Sequence, residues 1–97
     1  MDVQYEVDGS TFVWDEVKAQ LNWRKHGIRF EEAVSVFADP AFVLVDASRN
    51  DEQRDAVIGF DTQARLLFVV HIELDANYIR IISARRAEAH EEARYVD

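Results

Sequence analysis

The side chains of this 97-residue sequence that could do chemistry are segregated by charge. From Val17 to Phe30 there are Lys18, Arg24, Lys25 and Arg29, together with His26, and no acid. From Ala76 to Ala87 there are Arg80, Arg85 and Arg86, again with no acid. Four and three make seven of the eleven Lys and Arg, on a chain whose net charge is -8. A net negative charge argues against a polyanionic partner, because phosphate binding draws on positive surface. Segregation weakens that objection and permits an anion site without proving one, since acids that merely solubilise other surfaces would give the same pattern. An arginine fork can hold two phosphate oxygens at once. A histidine, with an ordinary pKa near 6.5, can take or give a proton at neutral pH. Lys25 as a phosphate contact and His26 as base or acid therefore form one candidate pair. The alternative is that both complement the C-terminus of a helix.

The elements that must position these groups follow from local signals. Thr11 to Trp14 is β-rich, Asp15 is a good N-cap, and the next segment reads as a helix ending near His26, with Gly27 as its stop. On a helical wheel Trp14, Val17 and Leu21 form an apolar arc expected in the core, and Lys18, Asn22 and Lys25 form a polar stripe at its border. Phe30, Ala33, Val34 and Phe37 predict a short second helix ended by Asp39-Pro40. Segments 42–46, 54–61, 65–74 and 78–84 read as strands joined in a meander through short turns, with an exposed polar loop over 46–55. Residues 88–95 suit a closing helix. The expected class is α+β: two N-terminal helices and a C-terminal helix on one face of a small antiparallel sheet.

Length and composition bound the rest. The chain suits a single domain, residues 1–97, and 48% hydrophobic with 31% charged residues is the balance of a folded protein. With no cysteine there is neither a disulfide nor a thiolate site, and core packing must suffice. No N-terminal signal or apolar run suggests export or a membrane, so a cytoplasmic location is expected. His26, His71 and His90 show no metal-ligand spacing, and no glycine-rich phosphate loop is present, so no metal or cofactor is expected.

The run from Phe12 to Ala33, with its aromatic-x-Trp-Asp, Lys18, Asn22, Lys25-His26-Gly27 and Phe30-Glu-Glu-Ala33, resembles the N-terminal signature of the BrnT toxins. Arg54 before a strand ending Ile58-Gly59, Arg80-Ile-Ile-Ser-Ala-Arg85, Glu91 and Tyr95 extend the resemblance over about residues 12–95. It implies a RelE-like ribonuclease fold and a toxin of a type II toxin–antitoxin system that cuts RNA and stops translation. It also implies a BrnA-like antitoxin with a ribbon-helix-helix domain, through which alone the pair would reach operator DNA. Two positions depart from the pattern: Arg29 replaces a usual cap residue, and Glu88 to Ala93 replaces most of the last helix's cations.

For such a ribonuclease the RNA's own 2'-hydroxyl attacks phosphorus, so the protein supplies a base, cations for the phosphorane and an acid for the leaving oxygen. The resemblance makes Lys25, His26, Arg54, Arg80 and Arg85 the catalytic candidates, and Lys18, Arg24, Arg29, His71 and Tyr95 candidate RNA contacts. The bland alternatives are specific. Arg80 could bridge to Glu73 or Asp55, Arg85 could flank a helix, His71 could be a half-buried strand histidine, and Glu91 and Tyr95 could dock the last helix. Strand alternation puts Arg80 and Arg85 on opposite faces unless the strand ends before Arg85. Trp23, turned away from the apolar arc, is the candidate contact for a partner or a homodimer. A rival reading is a toxin-like binding module, catalytically weak, that acts with its antitoxin as a co-repressor.

Overall fold

The structure is a computed structural model that describes residues 1–96. Its centre is a six-stranded sheet formed by β1 (Asp2–Val7), β2 (Ser10–Asp15), β3 (Val43–Asp46), β4 (Asp55–Phe60), β5 (Leu66–Asp75) and β6 (Tyr78–Arg86). The spatial order is β1-β2-β6-β5-β4-β3. From β3 to β6 it is the expected antiparallel meander. The N-terminal hairpin then adds to the free edge of β6, with β2 running parallel to it, so the sheet is mixed rather than antiparallel. Strand β1 was not foreseen. Its alternation puts Val3 and Val7 against the core, and the Asp8-Gly9 turn, both residues at positive φ, closes the hairpin.

Helix α1 (Glu16–His26) begins and ends as expected: the Asp15 carboxylate accepts the Lys18 N–H, and Gly27 at φ 71° terminates it. Its orientation is not as expected. Trp14 is buried, but as part of β2, whereas Val17 and Leu21 are 58% and 56% exposed. The side turned to the sheet carries Ala19 and the buried Asn22. Asn22 Nδ2 donates to the carbonyls of Ile28 (3.0 Å) and Ala84 (2.9 Å), and its Oδ1 accepts the Ala84 N–H (3.0 Å). Three bonds from one small side chain seat the helix where an apolar arc could not satisfy the buried backbone of β6.

The second helix, α2, spans only Phe30–Val34 and tightens into a 3₁₀ turn, Ser35–Ala38. Arg29 offers no side-chain acceptor, so only half of a capping box remains, with Glu32 accepting the Arg29 N–H at 2.9 Å. Phe30, Ala33, Val34 and Val36 join Phe12, Trp14, Val57, Leu67, Val69 and Ile81 in the core between this layer and the sheet.

Helix α3 (Ala89–Val96) does not join that layer. Leu67 faces the core, so its register partner Gly59 does too, and the next residues, Phe60 and Phe68, face the other side of the sheet. Tyr95 stacks edge-on against Phe60, its hydroxyl donates to Asp39 at 2.7 Å, and Glu91 bonds Arg85, which lies over Phe68. The helices therefore do not share one face: α3 covers one end of the second face and leaves the remainder free of helix.

Candidate functional site

Strand β6 sets the geometry. Opposite it on β5, Val70 pairs with Ser83 but His71 pairs with Ile81, so Ile82 is an extra, unpaired residue: a β-bulge. The bulge resets the alternation. Arg80 stands opposite Ile72 and Arg85 opposite Phe68, and Ile72 and Phe68 share a face, so Arg80 and Arg85 share it also. The expectation that they could do so only if the strand ended is corrected: β6 continues to Arg86. Along β5 the two rows lie four residues apart, about 13 Å. Arg54 immediately precedes β4, across β5 from Arg80, so the strand spacing puts it about 10 Å from β6. Between the arginines the open surface carries the half-buried Val70, Ile72 and Ser83.

Each arginine has a carboxylate partner. Arg54 is paired with Glu52, and Arg80 with Asp2 at 2.8 Å, not with Glu73 or Asp55. The Arg80 guanidinium holds the exposed Asp2 carboxyl below the usual range. Arg85 is gripped more firmly: Nη1 and Nη2 donate to the two oxygens of Glu91, both at 2.8 Å, and Nη1 also donates to the Arg86 carbonyl. The guanidinium lies 4.5 Å from the centre of the Phe68 ring. Of its five N–H groups the end-on pair and one further Nη1–H are used. Among the described residues the Nε–H and the remaining Nη2–H, which are parallel, have no partner, and they form a side-on fork that suits a phosphate. Glu91 is 6% exposed and also accepts the Glu88 N–H, so Arg85 is fixed on two sides before any ligand arrives.

At this end of the sheet the C-terminus of α1 approaches Arg85. His26 is half-buried and its pKa is lowered, first by burial and then by the charges of Lys25 and Arg85. Neutral imidazole therefore prevails at neutral pH, the form that can accept a proton. Lys25 and Arg24 are exposed beside it.

The other candidates do not join this group. His71 faces the core, 4% exposed, with its ring 5.0 Å from that of Phe37 and Nδ1 3.3 Å from the Val69 carbonyl, and burial pushes its pKa down. It is a core residue, where the sequence suggested a contact for RNA. Tyr95 is held by Asp39 and Phe60, and so docks α3. Lys18 is exposed in the first turn of α1, and the Arg29 guanidinium lies 4.3 Å from the centre of the 44% exposed Trp23 ring. Glu88, His90 and Glu91 place ligand atoms within 4.8 Å of one another, a cluster that spacing did not reveal. Both oxygens of Glu91 are already committed to Arg85. Sequence reasoning missed the anchoring role of Asn22, although it stands in the motif, and nothing pointed to Asp2 as the partner of Arg80.

The mixed sheet thus carries an arginine-lined face with a helix-end histidine near one end of it. The model of the ribonuclease toxin BrnT of type II toxin–antitoxin systems matches residues 14–91, and the chain belongs to that family. Its structure is similar to the crystal structure of the Brucella abortus ribonuclease toxin BrnT, with 25% sequence identity and a TM-score of 0.61, covering 77% of this chain and 92% of that one. No curated protein matches the sequence.

Proposed function

We propose that this chain is an endoribonuclease that cuts RNA on the face of its sheet that α3 covers only at one end, without a metal cofactor, and that it thereby stops translation. The observation that carries the reading is the bulge at Ile82, which brings Arg80 and Arg85 to one face and leaves Arg85 with a free fork close to a neutral His26. In this scheme His26 takes the proton of the RNA 2'-hydroxyl as that oxygen bonds to phosphorus. Arg85 and Lys25 hold the phosphorane's equatorial oxygens, and the bond to the 5'-oxygen breaks, that oxygen taking a proton from water. The products are a 2',3'-cyclic phosphate and a 5'-hydroxyl end. Arg80 and Arg54, about two nucleotides away along the face, hold flanking phosphates. The scheme needs a base, cations and a proton source, all of which side chains and solvent supply. A RelE-like single domain and a BrnA-like ribbon-helix-helix antitoxin that brings the complex to operator DNA complete the reading.

The test is RNA cleavage by the purified toxin in excess chelator, with the ends of the fragments identified. Cyclic phosphate ends that persist in chelator are expected, with a loss of about 10²–10³-fold in Arg85→Ala, the usual cost of a lost transition-state donor. If the wild type and an Arg80→Ala, Arg85→Ala double variant are equally harmless to cells, while both fold and bind antitoxin, the nuclease reading fails. The co-repressor reading then stands, favoured by the acidic Glu88–Glu92 segment that replaces cations on α3.

A further inference from the structure

The outer side of α1 is unlike the rest of the surface. Val17 and Leu21, one turn apart, are more than half exposed, and around the helix they are flanked by Arg24 on one side and by Lys25 and Lys18 on the other. These three cations have no ion-pair partner among the described residues, whereas Arg54, Arg65, Arg80 and Arg85 are all paired. We infer that this face seats an acidic amphipathic helix of the antitoxin, an inference that rests on the family reading that a partner antitoxin exists.

Apolar residues at i and i+4 on the partner meet Val17 and Leu21, and its flanking acids meet Lys18, Arg24 and Lys25. This is the helix-in-groove mode, with charge setting the register. RNA would use the cations, but its backbone offers nothing to two aliphatic side chains. A second copy of this chain, pairing through the same face, would oppose like charges across a two-fold axis. Because the face lies on the far side of α1 from the sheet, an antitoxin anchored there leaves its remaining chain free to reach Arg85.

The toxin is titrated with its purified antitoxin at low and at physiological salt, as wild type, as Val17→Asp with Leu21→Asp, and as Val17→Ser with Leu21→Ser. The expected result is a Kd raised about a hundredfold by the aspartates and about tenfold by the serines, the scale of losing anchor contacts. Wild-type affinity falls with salt, while thermal midpoint and RNA cleavage stay as in the wild type. An unchanged Kd in either folded variant overturns the inference. So does a loss of RNA cleavage with antitoxin binding intact, which would make the face an RNA surface, or a loss of self-association alone. If the wild type cleaves RNA but binds no antitoxin, the partner reading itself has failed.

Discussion

Replacing Asn22 tests the claim that one buried amide fixes α1 against β6. Asn22→Ala deletes three hydrogen bonds and leaves the Ala84 N–H and two carbonyls without their partner at a buried position. At roughly 1 kcal/mol for each bond the loss is about 3 kcal/mol, more if the Ala84 groups find no water. A chain of 97 residues unfolds with an entropy of about 0.2 kcal/mol/K, so the thermal midpoint should fall by about 15 °C. Asn22→Asp sharpens the test, because a carboxylate would face the carbonyls of Ile28 and Ala84 with no proton to give them. Such a buried acid has its folded pKa raised, so this variant should be more stable at pH 5 than at pH 8, opposite to the wild type. Scanning calorimetry of both variants at the two pH values is the assay. A fall of under about 5 °C for Asn22→Ala, which corresponds to about 1 kcal/mol, would refute the account.

Other outcomes are equally specific. If His26 is the base, kcat/KM rises with pH up to an inflection below 6.5 and then levels, and the inflection is absent from the residual activity of His26→Ala. His71 also has a lowered folded pKa, so the unfolded chain binds more protons below about pH 6.5, and stability should decline from pH 7 to pH 5. Part of that decline should vanish in His71→Gln, read by urea denaturation. Gly27→Ala meets no atom within 4 Å but must keep φ 71°, so it should cost about 1 kcal/mol in the same measurement. Arg85→Lys keeps the charge and loses the fork, so cleavage should fall nearly as far as in Arg85→Ala, whereas Lys25→Arg should stay close to wild type.

Much of this was legible locally. Asp15 and Gly27 bound α1, and the β4–β6 meander follows from apolar runs and short turns. The alternation of Val3, Tyr5 and Val7 with the Asp8-Gly9 turn was also a readable signal for β1, but its pairing with β2 and the parallel contact of β2 with β6 are set by tertiary packing. The wheel failed for Val17 and Leu21 because hydrophobicity was weighed without the backbone groups of β6, which only an amide such as Asn22 can satisfy. For the site, residue types could nominate Arg80, Arg85 and His26. No pattern could announce the bulge at Ile82 that phases the arginines, or the core position of His71.

The place of β6 in the sheet also governs when the site can exist. β6, the last strand of the meander, lies between the N-terminal hairpin and the other meander strands, and among the described residues it alone joins them. While residues 78–86 are still unmade, β2 has no neighbour on that side and α1 has no Ala84 to bind. Glu91, the clamp on Arg85, arrives later still. Such long-range closure is slow compared with helix or hairpin formation. The arginine row, the seated α1 and the fixed fork of Arg85 therefore all depend on one late strand, and none of them is complete until that strand is in place.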